Sequence, residues 1–264
     1  GGCINRAALL ELSNGEAVFL KEHGRQPKGM MAAEAAGLAA LASLGAIRVP
    51  RPLAHWEESG NQYLLLEYLP QGSRKSDFWE EFGRSMAALH QGSDPGPFGF
   101  EEDNYIGSTP QRNGWNESWV EFFGQKRLLF QIELAEQRGL ADREMSRGVR
   151  KLIERLGTVL VEPEKRALLH GDLWSGNYMV GPDGSAVIID PAAYFGHPEA
   201  DIAMTELFGR LGGPFYAAYR EAGGLDPGYQ DRRDLYNLYH MINHLNLFGG
   251  GYAGSVRSIV GRYI

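Results

Sequence analysis

Two short apolar runs flanking a tight turn constrain the fold of this 264-residue chain more than any other feature. The runs are Tyr178-Met179-Val180 and Ala186-Val187-Ile188-Ile189, and Gly181-Pro182-Asp183-Gly184-Ser185 lies between them. Proline presets one turn dihedral, Asp can bond its own backbone and Gly takes the left-handed position, so the segment reads as a β-hairpin. Folding about that turn sets Asn177, at the entry, beside Ile189 and Asp190, at the exit. Asp172 lies just upstream, in His170-Gly171-Asp172-Leu173-Trp174-Ser175-Gly176-Asn177. A carboxamide and carboxylates therefore converge at one open end. Few hard oxygen ligands with room for phosphate and water suit a magnesium ion. The plain alternative is a surface hairpin with ordinary polar ends.

The octapeptide adds chemistry to that geometry. A histidine, an aspartate two positions on and an asparagine five beyond that resemble the spacing of a kinase catalytic loop. In such a loop the Asp accepts the proton of the attacking hydroxyl and the Asn holds magnesium.

Composition narrows the partners. The net charge of −7 argues against a general polyanion binder, so no nucleic-acid partner is expected. No run approaches the roughly 20 apolar residues of a membrane span, so no membrane partner is expected. One cysteine, Cys3, excludes an internal disulfide and fits a reducing, cytoplasmic compartment. The chain has no signal-peptide pattern and no initiator Met, so its true start is expected to be missing.

The N-terminal third reads as a small nucleotide clamp over residues 1–70. Gly1-Gly2-Cys3-Ile4-Asn5 is a glycine-rich opening, and Val18-Phe19-Leu20-Lys21 is a strand ending in a phosphate-binding type of lysine. A helix near 30–44 puts Glu34, Leu38 and Leu41 on one face. A carboxylate on an apolar stripe needs a partner, and Lys21 is the candidate; a solvated helix charge is the alternative. Residues 62–68 form a buried strand leading to a hinge, where backbone groups of Glu67, Tyr68 and Leu69 would bond adenine.

Residues 71–264 read as a larger, mostly helical lobe, apart from the hairpin and a loop near 94–114. Asp77 and Glu80 suggest a capping box for a helix ending near His90, itself read as structural. Further helices are expected near 115–138, 143–160, 199–209 and 232–248. The expected architecture is α+β and two-lobed: an antiparallel sheet with one helix, then a helical lobe carrying the catalytic hairpin.

Across nearly its whole length the chain resembles the fructosamine kinase (ketosamine-3-kinase) family, relatives of the aminoglycoside and choline kinases within the protein-kinase-like fold. The resemblance rests on the opening glycines, Val18 to Lys21, Glu34, Val49-Pro50-Arg51-Pro52, Phe98-Gly99-Phe100, Asp103-Asn104-Tyr105-Ile106-Gly107, Thr109-Pro110-Gln111 and Asn113-Gly114-Trp115. It is most specific at His170 to Asn177 with Trp174 inside, Asp190-Pro191-Ala192, Gly196-His197 with Glu199, and Asn243-His244 with Asn246, Phe248 and Gly249. It implies ATP and Mg²⁺ as cofactors: Gly1, Gly2 and Lys21 on phosphates, Glu34 holding Lys21, and Asn177 and Asp190 on the metal. Asp172 would be the catalytic base, with Asp201 bracing the loop behind it and His170 beside it. Trp174, Trp115, His244 and Asn246 would border the sugar and its amine. Family members phosphorylate the 3-hydroxyl of sugars attached to amines by glycation, and the unstable product releases the amine. The expected partners are therefore glycated small amines or glycated proteins.

Two departures stand out. The family has a helix and a strand ahead of the glycine loop, whereas this sequence begins at the loop, and Asn5 stands where Ser is usual. Cys3, in a loop rich in backbone N–H groups and near Lys21, would favour thiolate, so either a monomer or a redox-linked homodimer through Cys3 is expected; a small packed residue is the alternative. Two other functions remain open at this stage, another small-molecule kinase of the same fold and a nucleotide-binding pseudoenzyme.

Overall fold

The computed structural model describes residues 6–24, 27–93 and 95–264; Gly1, Gly2, Cys3 and Asn5, with the roles expected of them, lie outside the described residues. The described residues begin with an antiparallel sheet that among them has four strands, order β1-β2-β4-β3, made of β1 (Arg6–Glu11), β2 (Ala17–His23), β3 (Pro52–Glu58) and β4 (Asn61–Glu67). In β4 the alternation is clean: Gln62, Leu64 and Leu66 are buried, while the residues between them are half-buried. That period-two pattern lays one face on α1 (Met30–Ser43), whose Met31, Ala35, Leu38 and Leu41 are buried. Glu34 lies on the same helix one turn before Leu38, so it points at β2 and meets Lys21.

The rest of the chain is mainly helical. It comprises α2 (Phe78–Gln91), α3 (Trp119–Phe122), α4 (Phe130–Gln137), α5 (Arg143–Ile153), α6 (Glu199–Leu207), α7 (Gly213–Glu221), α8 (Tyr229–Phe248) and α9 (Ala253–Tyr263). The 20-residue α8 runs through the core, burying Leu235, Leu238, Ile242 and Leu245 among others. Each such side chain removed from water contributes about 1.5–3 kcal/mol. Between α3 and α4 the chain winds as a π-helical turn, Phe123–Leu129, continuous with both. Arg127, in that turn, is fully buried. Its guanidinium packs on the Tyr194 ring and donates to Asn113 Oδ1 at 2.8 Å.

The structure departs from the sequence-based expectation at four places. The helix expected from 115 starts at Trp119, because Ser118 is extended and accepts the Glu121 N–H while Glu162 accepts those of Trp119 and Val120. Asp77 precedes α2 but its side chain makes no capping bond, so the capping box is not formed. The helix from Arg143 ends at Ile153 and gives way to a single 3₁₀ turn, Leu156–Thr158. The loop expected near 94–114 contains a hairpin, β5 (Asn104–Ile106) with β6 (Thr109–Gln111). Helices α7 and α9 were not anticipated. Two further short antiparallel pairs frame the site: β7 (Ala167–Leu169) with β10 (Tyr194–Gly196), and β8 (Tyr178–Val180) with β9 (Ala186–Ile188).

Candidate active site

The hairpin β8–β9 closes as the turn chemistry dictates, and the Ile189 N–H donates to Asn177 O at 3.0 Å where it opens. Asp172, Asn177 and Asp190 all line one cavity of about 320 Å³ between the sheet and the helical body. Lys21, Glu34 and Trp174 line it too.

The loop from β7 to β8 is held from behind. Asp201, in the first turn of α6, accepts the His170 N–H at 2.7 Å and the Gly171 N–H at 2.8 Å. Its Oδ2 also meets His90 Nε2 at 3.2 Å, and His90 Nδ1 meets the Tyr219 hydroxyl at 2.7 Å. Burial alone would raise the Asp201 carboxyl; the His90 hydrogen bond, nearby imidazoles and the Gly171 N–H outweigh it and hold the group below the usual carboxylate range. His170 accepts the Asp172 N–H at Nδ1 and so donates from Nε2 to Ile189 O, at 2.9 Å. Burial lowers its basicity, which keeps this imidazole neutral. Gly171 has φ 81, and a Cβ there would stand 2.0 Å from Ala192 O. Only glycine lets the loop pass that carbonyl.

Asn177 Nδ2 donates to Asp172 O at 2.8 Å and to Asp172 Oδ2 at 3.1 Å. Those bonds orient the carboxamide and leave its Oδ1 for another partner. Lys21 Nζ donates to Glu34 Oε1 at 2.6 Å and to Asp190 Oδ1 at 2.8 Å. Burial opposes the Lys21 charge, but the two carboxylates prevail and raise the ammonium above its ordinary value. Asp172 is pushed up to about 7, first by desolvation and then by the charges of Asp190 and Asp201, against the Asn177 hydrogen bond. Its side chain keeps 20% of its surface open, toward the cavity.

A second chamber, about 300 Å³, shares Phe19, Lys21, Glu34, Ile189 and Asp190 with the first. Its far wall is Leu38, Leu66, Met179 and the hinge residues Glu67, Tyr68 and Leu69. Glu67 ends β4, gives its N–H to Arg51 O at 2.9 Å and pairs with Arg48, so of its backbone groups the N–H is already engaged. A flat apolar slot leading to a lysine and two hard oxygen ligands is shaped for a nucleotide triphosphate.

The acceptor side is only partly where the sequence suggested. Trp174 lines the cavity and meets Phe208 edge-on at 6.2 Å. The His244 ring also packs on Phe208, 4.6 Å away, so Phe208 links it to Trp174. Asn246 turns into the core instead, donating to Gln131 O at 2.9 Å and Gln131 Oε1 at 2.7 Å. Trp115 lies on Phe195 and Arg166, outside the cavity lining. Residues that sequence reasoning gave no role take part instead. Asn104, Tyr105 and Gly107 of the β5–β6 hairpin line the cavity, and the Tyr105 hydroxyl donates to Lys28 O at 2.6 Å. The pair Gly107-Ser108 between two short runs is a hairpin signal that was available in the sequence. Phe208 had none. Among the described residues His197, Glu199 and Asp226 also lie close enough to share an ion. Glu199 is already bonded at both oxygens by Arg232, and His197 Nδ1 accepts the Glu199 N–H, which puts the proton on Nε2. That cluster is a buried ion pair rather than a ligand set.

No helix among the described residues is long and apolar enough to cross a membrane. The fructosamine kinase family model matches residues 1–264. A probable ketoamine kinase of Synechocystis sp. is 46% identical over 96% of this chain and 84% of its own. A chloroplastic protein-ribulosamine 3-kinase of Oryza sativa subsp. indica is 42% identical over 100% of this chain and 77% of its own. The crystal structure of a putative fructosamine-3-kinase from Thermobifida fusca superposes with a TM-score of 0.88 at 32% identity, covering 99% of this chain and 90% of that one. An aminoglycoside phosphotransferase at 17% identity and a TM-score of 0.65 shares the two-lobed, protein-kinase-like α+β fold. With a full-length family match and relatives this similar, the chain belongs to the fructosamine kinase family and is a phosphotransferase acting on a hydroxyl group.

Proposed function

We propose that this protein transfers the γ-phosphoryl group of ATP to the 3-hydroxyl of a ketosamine, a fructosyl- or ribulosyl-amine free or on a protein lysine, and so initiates its deglycation. The observation that carries this reading is Asp172. It is a carboxylate held near neutrality in its proton affinity, in one cavity with Lys21, Asn177 and Asp190. In this reading residues 1–70 clamp the nucleotide, and residues 71–264 supply the base, the metal ligands and the acceptor wall.

The residues present fit a magnesium ion. Asn177 Oδ1 is left unengaged by the two Nδ2 bonds, and Asp190 keeps one oxygen beyond its bond to Lys21. Bound there, Mg²⁺ would neutralise triphosphate charge as it builds on the leaving group. Lys21 holds the α- and β-phosphates, and Glu34 keeps its ammonium aimed at them. Asp172 Oδ1 accepts the proton of the acceptor hydroxyl as that oxygen bonds the γ-phosphorus and the bond to ADP breaks. Asp201 and His170 fix the loop so that this carboxylate does not drift. Trp174 offers a flat face to the C–H side of the sugar, backed by Phe208 and His244.

An ATP-consumption assay tests this with fructosyl-lysine, ribulosyl-lysine, a glycated protein, kanamycin and choline as acceptors. A ketosamine should exceed the others at least tenfold in kcat/KM, about 1.4 kcal/mol of transition-state binding. Preference for kanamycin with ketosamines inert would overturn the acceptor while leaving phosphoryl transfer standing.

A further inference from the structure

One buried polar group beside the reacting carboxylate is not accounted for by the roles above. His240 lies on α8 with only 4% of its surface exposed, and its Nδ1 is buried without a hydrogen-bond partner among the described residues. That atom stands 4.0 Å from Asp172 Oδ1, the oxygen that Asn177 does not engage. A separation of 4.0 Å is too long for a hydrogen bond. A buried nitrogen left without a partner is destabilising, and a closer approach to the carboxylate would relieve that cost. Burial pushes the imidazole down to about 3, so it is neutral and carries a single N–H.

We propose that His240 is a positioning residue for the phosphoryl transfer, closing its Nδ1–H onto Asp172 Oδ1 when the acceptor is bound. This inference rests on the reading of Asp172 as the base. Asn177 already pins Oδ2, so a second donor at Oδ1 fixes the plane of the carboxylate. The remaining lone pair of Oδ1 is then directed at the incoming hydroxyl. Catalytic hydrogen bonds are often long in the ligand-free enzyme and tighten in the reacting complex. The fold supplies a route for that tightening. One turn along α8, His244 Nδ1 bonds His240 O at 2.8 Å, and the His244 ring rests on Phe208, which rests on Trp174. An acceptor seated against Trp174 therefore presses on the helix turn that carries His240.

The test compares His240→Leu, which keeps bulk but loses the donor, with His240→Asn, whose amide nitrogen falls near the position of Nδ1. Both are measured as the full chain, with ATP and whichever alcohol of the panel the wild type turns over, so failure of the ketosamine assignment leaves the comparison intact. His240→Leu should lower kcat about tenfold or more while the KM for ATP stays within about twofold, and His240→Asn should recover most of the loss. In an Asp172→Asn background, His240→Leu should cost almost nothing further, because the group it serves is gone. Wild-type turnover in His240→Leu, equal losses in the Leu and Asn variants, or a full additional loss in the Asp172→Asn background would each overturn the proposal. The last comparison also holds if His240→Leu is less stable, since both members of that pair are read per folded protein from their melting curves.

Discussion

Replacing Asp172 by Asn should make the protein more stable and nearly inactive, and the gain should depend on pH. The carboxyl rises from 3.8 to about 7 on folding, chiefly through desolvation. At about 1.36 kcal/mol per pH unit, the ionised form is on the order of 4 kcal/mol worse off in the folded protein than in the unfolded chain. Because the folded-state value is the higher one, the folded protein holds the proton more tightly. Stability present at low pH is therefore lost as pH climbs from about 3.8 through about 7. Between pH 5.5 and 8.5 that loss is about 2 kcal/mol for the wild type and absent for the Asn variant. The amide can still accept the Asn177 bond, so little else changes. For a chain of this size the melting temperature of the variant should gain roughly 4–8 °C on that of the wild type across the interval. Thermal unfolding of both proteins without nucleotide, at the two pH values, measures it. A gap between the melting curves that is the same at pH 5.5 and 8.5 would refute the raised proton affinity. On the activity side, the wild-type kcat/KM should fall as pH drops below about 7, and Asp172→Asn should lose at least about 10²-fold in kcat with the KM for ATP nearly unchanged. Retention of near-normal turnover would remove Asp172 from its role.

Other changes act through different contacts. Lys21→Met leaves the Glu34 carboxylate, 12% exposed, without its cation, and should cost about 3–5 kcal/mol of stability while raising the KM for ATP; denaturant unfolding and nucleotide titration read the two effects. Gly171→Ala must find room for a Cβ placed 2.0 Å from Ala192 O at φ 81, so activity should fall sharply with a destabilisation above about 1 kcal/mol, measured by melting and kcat. Trp174→Ala should raise the KM for the sugar acceptor about tenfold and that for ATP less than twofold, and an equal rise in both would deny it the acceptor wall.

Local signals made the convergence of Lys21, Glu34, Asn177 and Asp190 legible. The turn at Pro182-Asp183-Gly184 fixes which residues meet at the hairpin mouth, and a glutamate one turn before Leu38 on an apolar stripe has to find Lys21. Such features depend on neighbours in sequence and on one short-range packing choice. The acceptor half depends on how distant helices cross. Phe208 reaches Trp174 only because the end of α6 lies against the loop after β7, and no period in the sequence announces that. Asn246 and His244 sit two positions apart on α8, which puts them on different faces; one fills the core at Gln131 and the other faces Phe208. Trp115 precedes α3, which starts four residues later, where Glu162 caps it from 43 residues away. A cap supplied from so far along the chain is invisible to any local pattern.

The π-helical turn at Phe123–Leu129 bears on which insertions and deletions this family of sequences can tolerate. A π turn carries one residue more than α-helical winding needs, so it reads as a single-residue insertion kept inside a continuous helix. Deleting one residue there would restore ordinary winding and leave Ile132 and Ala135 downstream on their buried faces. The residues inside the turn would shift, and among them Arg127, which holds Asn113; Asn113 bonds Asn104, and Asn104 donates to Ala193 O, three residues after Asp190. The surplus residue is thus tied to the wall of the cavity through Arg127, while the helix on either side of it keeps its phase.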